Sequence, residues 1–267
     1  RVPDPTPAAN EVVIEVANAG ICGSDLHMTE HPGIMPPGLI MGHEFSGTIV
    51  ECGQMVPANW QGGQRVTALP LHVCHHCEAC DTDHHALCPA VVFAGTSLDH
   101  PGAYADLVTI PAAMLQNLPA GVDFAEGAMI EPLSVGYHAV GRAGRVRNAA
   151  VLVLGAGPIG AAVALFARMQ GAKHVIVSEP FPARRQRALE VGATAVLDPG
   201  QTDPAAAFER ITGETPKLVF ECVGVPGMLR EAVGMVGIRG RVIVAGVVLA
   251  DDTFSPLEAI LKEVSIQ

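Results

Sequence analysis

A chain of 267 residues, 49% of them hydrophobic, is long enough to bury a core as one large or two ordinary domains, which excludes an intrinsically disordered protein. The balance is acidic, 16 Lys and Arg against 27 Asp and Glu, and no basic stripe is visible, so nucleic acid is an unfavoured partner. Seven cysteines, an odd number with four clustered, argue against a disulfide framework and indicate a reducing compartment, so we expect a cytoplasmic location.

The first part of the chain reads as a β-rich domain over residues 1–120. Up to about Pro119, glycines and prolines separate short β-type runs: EVVIEVA, FSGTIVEC, RVTALP and YADLVTIP. Short strands broken by turn residues are typical of such a domain. The start, RVPDPTPAAN, shows no signal-peptide pattern, and because the chain does not begin with Met we expect it to be processed or incomplete.

Two sets of residues in this domain suit zinc. The first is CHHCEACDTDHHALC, a lobe over about residues 72–90, in which four thiolates on one loop would close a tetrahedral structural site: Cys74, Cys77, Cys80 and Cys88. The four interspersed histidines could replace a thiolate, but solvated loop positions are favoured for them because four thiolates already satisfy the metal.

A catalytic zinc needs ligands that leave one position open. Cys22 in GICGSDLH, with His43 and Glu44 in GHEFSG, offers thiolate, imidazole and carboxylate from two loops. Glu131 in IEPLSVG could supply a fourth, exchangeable carboxylate. Glycines around these residues would let the backbone turn sharply about a site, which a plain core cysteine does not need.

The second part, residues 121–267, predicts a doubly wound α/β domain. The helix pattern GAMIEPLSVGYHAVGRA leads into it, and five short apolar runs follow at helix-sized intervals, which predicts a parallel sheet covered on both faces: VLVLG, HVIVSE, TAVLD, KLVFEC and RVIVAG. The uncharged stretch 148–167 imitates a membrane span, but its central GAGPIG indicates a strand, a tight turn and a helix instead.

A dinucleotide fits the turn after the first of these strands. In VLVLGAGPIG the glycines would present backbone N–H groups and a helix N-terminus to a pyrophosphate, and we expect these residues to contact it: Gly155, Gly157, Pro158, Ile159 and Gly160. Glu179 ends the next strand, where its carboxylate would accept from a ribose 2′-OH and favour NAD over NADP. Arg184 and Arg185 could instead pair with a 2′-phosphate, although a solvated helix start is favoured for them.

Three motifs in one order resemble the zinc-dependent medium-chain alcohol and polyol dehydrogenases. GHEFSGTIVECG matches the family's zinc signature, CHHCEACDTDHHALC its structural-zinc lobe, and GAGPIG its cofactor turn. Within the family the sequence looks most like the sorbitol, threonine and butanediol dehydrogenase branch, because Glu131 stands where simple alcohol dehydrogenases carry a second cysteine. The resemblance implies a GroES-like domain, a Rossmann domain, two zinc ions per chain, and a homodimer or homotetramer.

The resemblance also implies roles for single residues. Cys22, His43 and Glu44 would bind the catalytic zinc with Glu131 near or on it, and Asp25 would orient a ligand. Ser24 and His27 would carry the alcohol proton to solvent while hydride passes to the nicotinamide. The family has a basic residue beside the adenine ribose at the position of Arg184, and its backbone usually meets the nicotinamide at the position of Val247.

The reading is therefore an NAD-dependent zinc dehydrogenase of a secondary alcohol or polyol, without a nucleic-acid or membrane partner. The alternatives are an enzyme acting on threonine or another amino alcohol, an NADP preference, a protein that binds zinc and dinucleotide without turnover, and a purely structural role for zinc. The stretch from His27 to Glu44 is short for this branch, which predicts an abbreviated substrate pocket. Family members also extend beyond both ends of this sequence, so we expect it to be incomplete.

Overall fold

The computed structural model describes residues 2–30 and 35–267, the side chain of Glu30 excepted. The chain divides into two compact units, residues 1–131 and 132–267. The domain boundary expected at residue 120 stays a prediction. The predicted abbreviation of the substrate pocket falls partly on residues 31–34, which lie outside the described residues.

An antiparallel sheet forms the framework of the first unit. The strands of this unit are β1 (Glu11–Ala19), β2 (Phe45–Cys52), β3 (Arg65–Ala68), β4 (Leu71–His72), β5 (Val92–Phe93), β6 (Leu107–Pro111) and β7 (Leu115–Asn117). Five of them pair in the order β6-β1-β2-β3-β7, and β4 and β5 form a separate ribbon. Apolar side chains of β1, β2 and β6, among them Val12, Ile49 and Ile110, are fully buried in one core because alternate positions of a strand share a face.

The first unit also contains short helices. They are α1 (Gly23–Glu30), α2 (Glu78–Asp81) and α3 (Phe124–Ala128), with 3-10 turns at His85–Leu87 and Ala112–Met114. Asp123 and Glu126 form a capping box that starts α3. The next helix, α4 (Ile130–Arg142), begins in the first unit and continues into the second, as the sequence predicted for the connection.

The second unit is a doubly wound parallel sheet. Its strands are β8 (Ala150–Leu154), β9 (His174–Ser178), β10 (Ala195–Leu197), β11 (Leu218–Glu221), β12 (Arg241–Val244) and β13 (Ser265–Ile266), in the order β10-β9-β8-β11-β12-β13. The helices between and after them are α5 (Pro158–Met169), α6 (Pro182–Val191), α7 (Pro204–Thr212), α8 (Met228–Met235) and α9 (Pro256–Lys262). Strand order reverses between β8 and β11, the switch point where open α/β sheets bind ligands.

The apolar runs of this unit fold as the sequence predicted. β8 is buried along its whole length, and separate cores lie on the two faces of the sheet. The uncharged stretch 148–167 forms β8, the glycine turn and most of α5, as expected. None of the helices within residues 2–30 and 35–267 combines the length and apolar character that crossing a bilayer requires.

Candidate active site

Three candidate metal ligands meet where the chain enters α1 and β2. Cys22 directly precedes α1, and His43 and Glu44 directly precede β2. Their ligand atoms, one sulfur, one nitrogen and one oxygen, lie within 4.8 Å of one another. The structure thus brings together the three residues that the sequence selected from two separate loops.

Backbone contacts hold these two segments side by side. The Gly20 N–H donates to the carbonyl oxygen of Glu44 over 2.7 Å. A β-carbon on Gly20 would overlap the Oε2 atom of Glu44, so no larger residue fits without displacing that carboxylate. Glycine at this position therefore lets the Glu44 side chain pack directly against the backbone that leads to Cys22.

Cys22 is held at the N-terminus of α1. Its carbonyl accepts from the Asp25 N–H over 3.2 Å, and its own N–H donates to Asp25 Oδ2 over 3.1 Å, which is half of a capping box. Burial raises the pKa of the Cys22 thiol, and the charges of Glu44 and Asp25 act in the same direction, while hydrogen bonds from Ser24 partly oppose them. Without a cation, this thiol is therefore held in its protonated form.

Glu44 is in a similar position. Its side chain is buried, and burial raises the pKa of its carboxyl group, an effect that His43 partly reverses and Asp25 reinforces. A thiol and a carboxyl group that both resist ionisation, gathered beside an imidazole, form a donor set that a divalent cation would stabilise in its charged form. Sulfur, nitrogen and oxygen donors together suit Zn²⁺.

Asp25 gives a second, independent indication of a metal site. Its Oδ1 atom is buried and has no hydrogen-bond partner among the residues that the structure describes, and it lies 3.6 Å from Nδ1 of His43. Because Nδ1 faces this carboxylate, Nε2 is the nitrogen left for a metal. A carboxylate that receives the Nδ1–H of a ligating histidine is the usual second partner in zinc sites, so the residues present fit the ion.

The other predicted residues of this site are not among these three grouped ligands. Glu131, in the first turn of α4, is not among the ligand atoms that lie within 4.8 Å of one another. Burial raises the pKa of its carboxyl group to about 7, with His43 lowering it and Glu44 raising it, so Glu131 experiences the charges of the group. Ser24 and His27 are half-buried, three residues apart on α1. Their roles, and that of Glu131 as a ligand, stay predictions.

The four clustered cysteines converge as the spacing predicted. The sulfur of Cys80 lies 3.6 Å from that of Cys77 and 4.0 Å from that of Cys74, and the sulfurs of Cys88 and Cys74 are 3.6 Å apart. These distances are far above the ~2.05 Å of a disulfide. They bracket the edge of about 3.8 Å that a tetrahedron of sulfurs has when each lies about 2.3 Å from a central zinc.

The histidines of the same lobe stay outside the cluster. His75, His76 and His84 are exposed and His85 is half-buried, and none of them joins the four sulfurs. Three of these histidines thus occupy the exposed positions that the sequence predicted, whereas His85 is half-buried in the 3-10 turn; that none of them binds zinc stays a prediction. The thiols differ among themselves, because a backbone hydrogen bond with Cys74 lowers the pKa of Cys88 to about 7 and burial raises that of Cys80 to about 12.

In the second unit, the glycine turn joins β8 to α5. Gly155 adopts a φ of +87°, which favours glycine, and Gly157 caps α5, which begins at Pro158. A β-carbon on Gly160 would overlap the carbonyl oxygen of Gly155, so this glycine allows the helix to approach the turn. Ile159 packs partly against the core. The turn therefore has the backbone geometry of a pyrophosphate site.

Glu179 is more enclosed than the sequence suggested. It is 2% exposed, its Oε2 accepts from the Ala156 N–H over 2.8 Å, and its Oε1 accepts from the Phe181 N–H over 2.9 Å. The carboxylate thus binds the glycine turn to the end of β9. Each oxygen retains a second lone pair, so the group can still accept from a ribose hydroxyl.

The two arginines after Glu179 have different surroundings. Arg185 donates to the carbonyl oxygens of Glu179 and Pro180, each over 2.7 Å, and lies 3.3 Å from Asp198 Oδ2. Arg184 is exposed, with its guanidinium 5.2 Å from the centre of the Phe181 ring. Arg184 is therefore the one of this pair with the freer guanidinium, at the position that the resemblance singled out.

Glu221, at the end of β11, is a buried acid near the predicted nicotinamide contact, and the sequence analysis did not single it out. Its carboxylate accepts from the N–H groups of Val223 and Gly224, and its carbonyl accepts from Ala245 and Gly246. The backbone of Val247, the predicted nicotinamide contact, packs against Gly224. Glu221 thus ties together two turns at the carboxyl edge of the sheet. An acid at the end of a buried strand, as in Glu179, was the available signal.

Two family models of known proteins match this chain, one in each unit. Residues 8–120 match the family model of the alcohol dehydrogenase GroES-like domain, and residues 158–267 match that of the zinc-binding dehydrogenase. The 2-dehydro-3-deoxy-L-galactonate 5-dehydrogenase of Pseudoalteromonas atlantica is 37% identical over 246 residues, which cover 90% of this chain and 70% of that protein. Sorbitol dehydrogenase of Bos taurus is 35% identical over 99% of this chain and 76% of its own length.

A solved structure agrees with these matches. A Sinorhizobium meliloti 1021 protein classed as a zinc-binding dehydrogenase, crystallised with NADP, is similar with a TM-score of 0.87 and 30% identity, over 99% of this chain and 78% of that one. The GroES-like and Rossmann fold class predicted from the motifs is confirmed. The chain therefore belongs to the zinc-dependent medium-chain alcohol and polyol dehydrogenases, oxidoreductases that transfer hydride between an alcohol and a nicotinamide cofactor.

Proposed function

We propose that this chain oxidises a secondary alcohol or polyol with NAD, and reduces the corresponding ketone in reverse, at a zinc held by Cys22, His43 and Glu44. The observation that carries the proposal is the convergence of these three ligands beside the buried, unpaired Oδ1 of Asp25. The names of the two relatives refer to polyhydroxylated compounds, which supports a polyol as substrate.

The metal supplies Lewis acidity, since a zinc ion with an open position polarises a hydroxyl or carbonyl oxygen. The surrounding residues manage protons. A hydrogen bond between the Ser24 side chain and Cys22 supports Ser24 as the group that accepts the alcohol proton. His27 follows three residues later on the same face of α1 and passes the proton towards solvent. Glu131, with its raised pKa, is the exchangeable fourth carboxylate.

NAD is the preferred cofactor because Glu179 presents negative charge where NADP would place a phosphate. Two backbone N–H groups fix this carboxylate, and Arg185 is engaged by two carbonyls and Asp198. Of Arg184 and Arg185, only Arg184 has a guanidinium free to bind a 2′-phosphate, and the charge of Glu179 would repel that phosphate. We expect the glycine turn to bind the pyrophosphate and the backbone at Val247 to meet the nicotinamide.

A second zinc belongs to the four cysteines of the lobe. A closed set of four thiolates leaves no position for a substrate, so this ion is structural. Its role is to hold a segment with little regular structure, in which α2 has only four residues and the 3-10 turn three. Two zinc ions per chain follow from the two ligand sets.

The test separates the two metals by mutation. The variant is Cys22→Ser, and the matched control is Cys52→Ser. Cys52 is a half-buried cysteine of β2 whose thiol donates a hydrogen bond to the Trp60 carbonyl. Zinc per chain is measured on the purified proteins, and NADH formation is followed with a panel of polyols, diols and threonine.

We expect two zinc ions in the wild type and the control, one in Cys22→Ser, and turnover in all but Cys22→Ser. Threonine as the best substrate would move the assignment to the amino-alcohol alternative. A wild type with one zinc and no turnover on the panel would contradict the proposal and favour binding without catalysis.

Location and assembly complete the proposal. None of the seven cysteines, all of which lie in described residues, forms a disulfide, which supports a reducing compartment, so we propose the cytoplasm. A homodimer or homotetramer is expected from the family, and light scattering on the purified protein measures it.

A further inference from the structure

We propose that Tyr104 is a positioning residue for the metal site, whose hydroxyl holds Asp25 in the orientation that presents a free carboxylate oxygen to His43. This inference rests on the proposed function, because it concerns the same three ligands. Tyr104 lies 79 positions from Asp25 in the sequence and opens the run YADLVTIP, which the sequence analysis interpreted only as a strand.

The hydroxyl of Tyr104 contacts two acceptors. It lies 2.6 Å from Asp25 Oδ2 and 3.0 Å from the carbonyl oxygen of Gly20. A tyrosine has one hydroxyl proton, and the carboxylate, which is both closer and charged, is the stronger acceptor. Burial and the neighbouring Asp25 raise the pKa of Tyr104 well above its ordinary value, so the hydroxyl keeps the proton that it donates.

The segment that carries Tyr104 is fixed to the segment that carries His43. Its N–H donates to the Met41 carbonyl over 2.8 Å, and the Ala103 N–H donates to the Gly42 carbonyl over 2.8 Å. Its ring lies against Gly42, where a β-carbon would come within 2.7 Å of the ring atom Cδ1. Gly42 has a φ of +103° and directly precedes His43. The hydroxyl is therefore held in a fixed place relative to the histidine.

The contacts of Asp25 divide between its two oxygens. Oδ2 accepts from the Tyr104 hydroxyl and from the Cys22 N–H, whereas Oδ1 accepts from no group within residues 2–30 and 35–267 and faces His43 Nδ1 at 3.6 Å. Two donors on one oxygen prevent the carboxylate from rotating about its last bond, so the other oxygen stays available. With a zinc bound, this oxygen would be the acceptor for the Nδ1–H, which would leave the Nε2 lone pair for the metal.

The ring and the hydroxyl of Tyr104 have separable roles. A phenylalanine would keep the ring against Gly42 and would lose only the bonds to Asp25 and Gly20. Tyr104→Phe therefore isolates the positioning role. The matched control is Tyr137→Phe, since Tyr137 lies on α4 in the second unit, is 59% exposed and contacts Phe166 edge-on.

The experiment measures zinc affinity directly, by competition with a chromophoric chelator, on the wild type, both tyrosine variants, Asp25→Asn and the double variant. We expect Tyr104→Phe to weaken the weaker of the two zinc sites about tenfold, as loss of a partner behind a ligating histidine does. The stronger site and the Tyr137→Phe protein should stay unchanged, with thermal unfolding of Tyr104→Phe close to the wild type.

The double variant separates positioning from a general loosening. If the hydroxyl acts through Asp25, then Tyr104→Phe has no further effect on zinc affinity in the Asp25→Asn background. Equal losses in both backgrounds, or a Tyr104→Phe affinity equal to that of the wild type, would overturn the inference. Its failure is distinct from that of the proposed function, which is judged by the zinc content of Cys22→Ser.

Discussion

Replacing Glu179 by Gln exchanges one carboxylate oxygen for an NH₂ group and removes the negative charge, and it should affect both stability and cofactor choice. The side chain keeps its shape, but one carboxylate oxygen becomes an NH₂ group that faces a backbone N–H. One of the two bonds from Ala156 and Phe181 is then lost in a site that is 2% exposed. A hydrogen bond to a charged group contributes about 1.5–3 kcal/mol, and relief from burying a charge offsets part of this.

We therefore expect the free energy of unfolding to fall by about 2 kcal/mol. With a urea dependence of about 1–3 kcal/mol per molar, the unfolding midpoint followed by circular dichroism should fall by about 1 M. The preference for NAD over NADP, measured as the ratio of kcat/KM values, should fall by at least about tenfold, because the variant lacks the charge that repels a 2′-phosphate. Glu209→Gln, an exposed glutamate of α7, is the control and should change neither quantity.

The two readouts test different parts of the reasoning. An unchanged midpoint would mean that the carboxylate does not hold the turn, and the hydrogen bonds from Ala156 and Phe181 would have to be discounted as a source of stability. A lowered midpoint with an unchanged cofactor ratio would show that Glu179 organises the turn without reading the ribose.

Two further perturbations follow from the second unit. Gly160→Ala should lower the free energy of unfolding by about 1–3 kcal/mol and weaken NAD binding, because the added β-carbon would overlap the Gly155 carbonyl. The control is Gly157→Ala, whose β-carbon would meet no atom within 4 Å and which should unfold at the wild-type urea midpoint. Equal midpoints for the wild type and both variants would refute the overlap as a source of instability. Asp252 accepts from the Gly227, Leu229 and Thr253 N–H groups, the first having the largest effect, and its pKa is lowered. The ionised Asp252 side chain therefore stabilises the fold fully above its ordinary pKa of 3.8, and this stabilisation is lost as the pH falls through the lowered pKa. The difference in free energy of unfolding between the wild type and Asp252→Asn should therefore shrink in acid, and a difference independent of pH would contradict this role of Asp252.

Most of the fold could be predicted from patterns of neighbouring residues in the sequence. The apolar runs of the second unit became parallel strands because only a sheet covered on both faces can bury them completely. GAGPIG became a turn followed by the start of α5, because glycine permits the turn and proline is tolerated in the first turn of a helix. The four-cysteine spacing was equally local, since all its ligands stand on one loop.

Contacts between residues far apart in the sequence could not be predicted from the sequence. Cys22, His43 and Glu44 could be selected by residue type and by the glycines beside them, but that Tyr104 reaches Asp25 depends on how residues 102–104 pair with residues 40–42. No periodicity encodes that pairing. For the same reason the sequence could not separate Arg185 from Arg184, since the partner that engages Arg185, Asp198, follows the next strand.

The compactness of the cysteine lobe in the sequence has a consequence for the order of metal loading. Its four ligands fall within residues 74–88, so closing that loop requires ordering only a short stretch of chain. The group around Cys22 needs β1 paired with β2, and its support from Tyr104 needs a segment synthesised some sixty residues later. The lobe can thus close around zinc with ligands from one short segment, whereas the Cys22 group depends on the folded sheet of the first unit. When zinc is scarce, we therefore expect the Cys22 group to lack zinc before the lobe does, so that activity is lost in molecules that are already folded.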